Sequence, residues 1–276
     1  MRSVSDRYID IFKDNNQKTK EISKSLSTEE AFETVSHISD MSSKNIANMW
    51  KNGQKVCRTK YVMEAMEENY PTPILEISLV IDAIVNNLDE LLDENLPKDK
   101  KSLHIFDLSK DIGYVSSSNK LSSEQREMVG TFFRNKIPIV GGGEFYYTEL
   151  IQGSPDDFTL WKKYYDSRII DIDIFMELAL SELGYKSEDT IRAARDFRAV
   201  NLIAKDIRDI EDDVENGIKT LFTIAHQIDS DPKEYAKKIA QEYIDDLNKF
   251  KIKEPVLEYT RKNFSKMCEK ELKTIN

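Results

Sequence analysis

The sequence predicts an all-α protein of about ten helices, and three observations carry that expectation. Glycine and proline are scarce, nine and seven in 276 residues, so turns are few and elements long; many short strands would need more turn residues. Apolar residues recur at helical spacing, as in Ile77, Ile81, Ile84, Leu88 and Leu91 or Leu92. The chain is 39% hydrophobic and 33% charged, which suits helices with one apolar stripe and a solvated outer face. No internal repeat or linker divides it, so one domain over residues 1–276 is expected.

Capping signals place the elements in order. Ser27-Thr28-Glu29-Glu30 has the form of a capping box, and Gly53 ends the periodic segment that follows. Pro71 and Pro73 open a helix expected from Ile74 to about Glu94, ending before Pro97. Residues 95–122 are the least regular stretch. Lys98-Asp99-Lys100-Lys101 and Ser116-Ser117-Ser118-Asn119 read as exposed loop, the place for a mobile lid. Ser122-Ser123-Glu124-Gln125 starts a further helix, broken near Pro138. The run Gly141-Gly142-Gly143 lacks the Lys-Ser/Thr of a phosphate loop and any strand before it, so a helix break or a close helix crossing is expected there. Ser154-Pro155-Asp156 restarts a helix reaching Gly184. Ser187-Glu188-Asp189 caps a long one ending at Gly217, and Asp231-Pro232 and Glu254-Pro255 open the last two.

A net charge of −10 argues against nucleic acid or an anionic membrane surface as partner. It leaves room for a polyphosphate bridged by divalent cations. No apolar run approaches 18 residues, so no membrane span is expected, and Met1–Asp10 has no signal-peptide core. Cys57 and Cys268 suggest no disulfide framework, which fits a reduced cytosol. His37, His104 and His226 lack ligand spacing and read as structural, and neither cysteine suggests a nucleophile.

Two acidic stripes carry the chemistry. Asp82, Asn86, Asp89 and Asp93 are spaced 4, 3 and 4 and share a narrow helical face. No Lys or Arg occurs between Ala65 and Lys98 to offset them. The second stripe is Asp206, Asp209 and Asp213, with Asp212 beside it and Ile203, Ile207, Ile210 and Val214 as the expected buried seam. Such a pair suggests a Mg²⁺-lined cavity for diphosphate departure, although acidic helix faces also arise by chance among 50 Asp and Glu.

These residues resemble the trans-isoprenyl diphosphate synthase family. Ser78-Leu79-Val80-Ile81-Asp82-Ala83-Ile84-Val85-Asn86 resembles its first motif, S-L-[IV]-H-D-D-x-x-D. Gly53-Gln54-Lys55-Val56-Cys57-Arg58 resembles G-G-K-x-x-R. Ile203-Ala204-Lys205-Asp206-Ile207-Arg208-Asp209 resembles Q-x-x-D-D-x-x-D, followed by Lys219. The second motif is also similar to the R-D-x-x-E-D-x-x-x-G of squalene and phytoene synthases, in Arg208-Asp209 through Asp212 to Gly217. The resemblance covers residues 45–225.

It implies an isoprenoid-synthase-type bundle around a central cavity and a Mg²⁺-dependent prenyltransferase. Such an enzyme ionises an allylic prenyl diphosphate and condenses it with isopentenyl diphosphate or another prenyl acceptor. Asp82, Asn86, Asp89, Asp206, Asp209 and Asp213 would hold metal. Lys55, Arg58, Lys219 and Arg168 would hold diphosphate, and Asp82, Asp209 and Lys205 would act in catalysis. A homodimer, or a heteromer with an active synthase, is implied too.

Departures keep other readings open. Ala83 and Asn86 stand where the first motif has Asp, Lys205 replaces the first Asp of the second, and the Arg-Arg pair is absent near Leu91 and Leu92. Glu144 to Tyr147 loses the Asp of the family's mid-chain motif, and Arg168 is the nearest cation to a missing Lys-Thr. Lys205 either stands in for a metal or pairs with Asp209 one turn on. A non-catalytic subunit of a heteromeric synthase and a terpene cyclase are the alternatives. Phe145, Tyr146 and Tyr147 either line a prenyl pocket or belong to the core.

Overall fold

The computed structural model describes residues 57–92, 98–154, 157–215, 222–224 and 232–275. About ten helices and no strand occur among them, as the turn poverty predicted. Ser27–Glu30, Gly53, Lys55, Asp93, Gly217, Lys219, His37 and His226 lie outside the described residues. Backbone contacts divide the chain into two compact units, Met1–Glu127 with Leu178–Tyr185, and Met128–Glu177 with Lys186–Asn276. No described helix is long and apolar enough to cross a membrane.

In the first unit, α1 (Arg58–Met66) is followed by two 3₁₀ turns, Glu67–Asn69 and Thr72–Ile74. Then come α2 (Leu75–Leu92), α3 (Lys98–Ser117) and the start of α4 (Ser123–Thr131). Pro71 and Pro73 restrict the residues before them and bias them away from helix, which lets α2 begin only at Leu75. From Ile77 to Asn87 every side chain of α2 is buried, so the helix has no solvated face along that length. The expected ladder residues Ile77, Ile81 and Ile84 are fully enclosed, and Leu88 is half-buried.

The loop expected over 98–101 and at 116–117 is corrected: Lys98–Ser117 is a continuous helix of 20 residues that packs on α2, and only Ser118 and Asn119 of the expected loops lie beyond it. It escaped notice because its buried positions, His104, Asp107 and Asp111, are polar, while Ile105, Phe106 and Ile112 are exposed. A search for apolar periodicity therefore finds no core-facing stripe. The helix start expected at Ser122 is found, with Ser122 directly before α4. Its Oγ accepts from the Gln125 N–H at 3.1 Å, and Gln125 Oε1 accepts from the Ser122 N–H at 2.8 Å, a reciprocal capping box.

The second unit begins with the end of α4, a π-helical segment at Phe132–Lys136 and α5 (Ile137–Gly153), which has Pro138 in its first turn. α6 (Phe158–Arg168) follows, capped by Asp157, whose carboxylate accepts from the Thr159 N–H. The helix expected from Ser154 to Gly184 is thus corrected at both ends of α6. Asp157 is the cap, and a 3₁₀ turn at Ile169–Ile172 separates α6 from α7 (Asp173–Glu182). Gly184, at φ 73°, closes α7. The Tyr185 N–H reaches the Leu180 carbonyl and the Gly184 N–H that of Ser181, a Schellman pattern that only a residue tolerant of positive φ completes cheaply.

α8 (Glu188–Arg208) is the axis of this unit and packs against α10 (Pro232–Asn248) and α11 (Pro255–Ile275). Phe197 stacks on Phe264 at 5.5 Å, and Trp161 lies against Tyr235 and Phe222. Ser187 caps α8 as expected, with its Oγ accepting from the Thr190 N–H. The continuation to Gly217 is corrected: α8 ends at Arg208, Asp209 adopts φ −89° and ψ 0°, and a short α9 (Ile210–Glu215) restarts the helix. The buried seam stops accordingly. Ile203 and Ile207 are enclosed, Ile210 is half-buried and Val214 is exposed.

The glycine run makes the close crossing that was one of its two expected roles, and α5 continues through it without a break. A Cβ on Gly143 would overlap the Cβ and Oγ of Ser167 on α6, whereas Gly142 faces open space. The core alternative for the aromatics after it is corrected. Phe145 and Tyr146 are 57% and 60% exposed, and Tyr147 is half-buried.

Candidate functional site: two acidic helices

On α2, Asp82 is wholly enclosed. Its Oδ1 accepts from Arg58 Nη1 at 3.0 Å and its Oδ2 from the Thr59 N–H at 2.9 Å. Asn86 Nδ2 donates to the Asp82 carbonyl at 2.8 Å and approaches Oδ1 at 3.4 Å. The carboxylate therefore caps the start of α1, whose first N–H groups have no partner within their own helix. Burial pushes the Asp82 carboxyl up, against the pull of Arg58 and the Thr59 N–H. Burial, then the negative Asp82, raises the Cys57 thiol, so Cys57 is no ready thiolate. Two residues expected to hold different ligands, Asp82 for metal and Arg58 for diphosphate, here bind each other. Asn86 is buried with Asp82, and Asp89, one turn on, is exposed.

The second stripe is built differently. Asp206, near the end of α8, is buried, and its Oδ2 accepts from Arg168 Nη1 at 2.9 Å and from the Tyr165 hydroxyl at 3.1 Å. The same Arg168 Nη1 donates to the Tyr164 hydroxyl at 2.8 Å, and its Nη2 lies 3.5 Å from Glu144 on α5. Arg168 is held cationic well above its ordinary range, because Glu144, Tyr164 and Asp206 outweigh its burial. Burial raises both tyrosine hydroxyls, and the Asp206 charge adds to it. Arg168, expected to hold diphosphate in place of a missing Lys-Thr, is here the partner of Asp206.

Lys205 takes the second of its two expected roles. Its Nζ lies 2.9 Å from Asp209, with both side chains over a third exposed. Asp213 follows one turn later, and its N–H donates to the Asp209 carbonyl at 2.8 Å. Burial, then the charges of Asp206 and Asp209, lifts the Asp213 carboxyl to about 6. The Asp213 carboxyl therefore feels both Asp206 and Asp209 across the turn at Asp209. Among the described residues no three His, Cys, Asp or Glu side chains converge closely enough to hold an ion by themselves.

No family model, no curated protein and no solved structure matches this chain. The site is therefore read from its own geometry.

Sequence reasoning missed the tyrosines of α6 and the buried ion pair behind them. Arg198 and Asp171 meet through three contacts of 2.8 to 3.3 Å, with both side chains almost fully enclosed, and Arg198 Nη1 donates to Asn201. This pair ties α8 to the 3₁₀ turn that follows Arg168. No local pattern marks it, since its partners are 27 residues apart. Arg208, read in the second motif, turns instead to Glu271 at 3.3 Å and Thr274 at 3.2 Å on α11. His104 is structural as expected, with Nδ1 2.8 Å from Asn87 Oδ1.

Proposed function

We propose that this protein binds a prenyl diphosphate with Mg²⁺ on the Asp206–Asp209–Asp213 stripe and acts as a Mg²⁺-dependent prenyltransferase of the isoprenoid-synthase type. The isoprenoid-synthase arrangement of the helices is part of the same proposal. The observation that carries it is the pair of ion contacts, Arg168–Asp206 and Lys205–Asp209, on the stripe that ends in Asp213, whose carboxyl burial and those two aspartates raise.

Mg²⁺ prefers one or two carboxylates plus substrate phosphates to a cage of protein groups, so the half-exposed Asp209 and Asp213 fit it better than the enclosed Asp206. Those two carboxylates would hold the ion, which would supply neutralising charge for a departing diphosphate. Asp206 holds Arg168 in place, and Arg168 supplies fixed positive charge near the stripe. Lys205, paired with Asp209, would be free to meet a phosphate oxygen if Asp209 held the metal. No protein base is required, because the released diphosphate takes the proton. The acceptor is isopentenyl diphosphate or another prenyl compound.

A second reading is favoured by one observation. Asp82, the surviving Asp of the first motif, is spent on Arg58 and the α1 terminus. A non-catalytic subunit that binds diphosphate and pairs with an active synthase would retain the second stripe alone.

A radiolabelled prenyl-transfer assay separates the two. Dimethylallyl, geranyl, farnesyl and geranylgeranyl diphosphates are each offered with isopentenyl diphosphate and Mg²⁺, with Asp209→Ala as control. Elongation that vanishes in the control supports the enzyme. Diphosphate release without elongation points to a cyclase or another acceptor. No turnover, with Mg²⁺-dependent pyrophosphate binding retained, supports the subunit. Loss of both refutes the site.

A further inference from the structure

The polarity of α3 is inverted. Its buried side carries His104, Asp107 and Asp111, spaced 3 and 4, and its exposed side carries Ile105, Phe106 and Ile112. Ile105, Leu108 and Ile112 repeat the same 3 and 4 spacing one residue further on. The helix therefore bears two parallel seams, one polar and one apolar, and both run on to the buried Val115. An amphipathic helix normally buries the apolar one.

The polar seam is incompletely satisfied. Asp111 Oδ2 and Asn87 Nδ2 are buried without a hydrogen-bond partner among the described residues. His104 pairs with Asn87, and at the other end the Tyr114 hydroxyl bonds to Glu76. These two contacts fix α3 antiparallel on α2, so Asp107 and Asp111 face the stretch between Leu79 and Ile84. That stretch is apolar except for Asp82, which is bound to Arg58. Glu76 is bound by Tyr114 and by Lys120. The charges felt by Asp111 are Asp107, which raises its carboxyl, and Lys110, which lowers it. With burial first among the causes, the carboxyl is pushed up to about 7.

We propose that α3 is a two-register helix: with Asp111 protonated it lies on α2 by its polar seam, and when Asp111 loses its proton α3 rolls by about one residue, ~100°, so that Ile105, Leu108 and Ile112 replace that seam. The two states differ by what each leaves in the apolar contact. In one it is a neutral carboxylic acid, and in the other it is three aliphatic side chains with the carboxylate returned to water. Because burial raises the carboxyl to about 7 on α2 and water returns it to its ordinary range near 4, the balance shifts between about pH 4 and pH 7. This inference is independent of the prenyl-diphosphate reading, since no residue of that stripe takes part.

The test uses the full chain carrying Ile105→Trp, a substitution at an exposed position, with emission read as the difference from the parent. On raising the pH from 4 to 7, the introduced indole should move to shorter wavelength as it enters the contact. Hydrogen exchange, corrected for intrinsic rates, should show residues 98–117 still protected. Adding Asp111→Asn should hold the indole at its pH 4 emission throughout. An emission that ignores pH, or a shift that persists with Asp111→Asn, overturns the proposal. Loss of protection without a blue shift also overturns it, because it would mean that α3 melts and does not roll.

Discussion

Replacing Asp82 by alanine separates two roles that the same residue was open to. A metal ligand on an open face repels its acidic neighbours, so its removal in metal-free buffer costs nothing or stabilises slightly. The enclosed Asp82 predicts the opposite. Its removal takes from the buried Arg58 guanidinium its Asp82 carboxylate and from the Thr59 N–H its acceptor. A hydrogen bond between charged groups is worth about 1.5–3 kcal/mol and a neutral one about 1 kcal/mol. Their sum, about 2.5–4 kcal/mol, overlaps the roughly 3–5 kcal/mol lost when one member of a buried ion pair is deleted, and about 3–4 kcal/mol satisfies both.

Urea unfolding with EDTA present should therefore place Asp82→Ala about 3–4 kcal/mol below the parent. Adding Arg58→Met, which removes the stranded charge and keeps an unbranched stem, should recover about half or more of that. The reasoning is refuted if Asp82→Ala matches the parent without metal and differs from it only when Mg²⁺ is present. That result would make Asp82 a ligand and its contact with Arg58 incidental.

Gly143→Ala should destabilise by about 1–2 kcal/mol despite the better helix propensity of alanine, because the added methyl overlaps Ser167; thermal unfolding checks this, with Gly142→Ala, which meets open space, neutral or stabilising. Asp196 on α8 is buried, has one unpartnered oxygen and is raised to about 7, burial being the main cause. A raised carboxyl means that the folded state holds a proton the unfolded state has released. Stability should therefore fall as pH rises from about 4 to about 7, and Asp196→Asn should flatten that slope by about one proton in a pH series of urea titrations. Lys205→Ala should cost less than ~1 kcal/mol in stability, since its pair with Asp209 is well exposed, yet weaken Mg²⁺-dependent pyrophosphate binding at least several-fold in calorimetry. Arg168→Ala should abolish that binding and destabilise by about 3 kcal/mol, because Asp206 then keeps a buried charge with only the Tyr165 hydroxyl among the donors described here.

What was legible in the sequence follows from how far each signal reaches along the chain. The reciprocal bonds of Ser122 and Gln125, the Ser187 cap and the Gly184 terminus are settled within six residues, and the structure reproduces each of them. The ladder of α2 was legible for the same reason. Helix α3 was not, because periodicity detects helices through apolar residues and α3 buries polar ones. The turn at Asp209 was hidden too. The 3 and 4 spacing of Asp206, Asp209 and Asp213 continues across it, so the stripe survives in sequence although the helix does not.

The same spacing carried no information about Asp82. A carboxylate that ligates a metal and one that caps a neighbouring helix occupy the same place in a helical repeat. Only a partner from outside the helix tells them apart, here Arg58, 24 residues away. Motif resemblance ranks residues by type and interval, and both are identical in the two cases. What differs is burial: an open carboxylate is available to an ion, whereas one with both oxygens committed must break those bonds first. By that criterion the half-exposed Asp209 and Asp213 are the candidate ligands, and Asp82 and Asp206 are the groups that hold Arg58 and Arg168 in place.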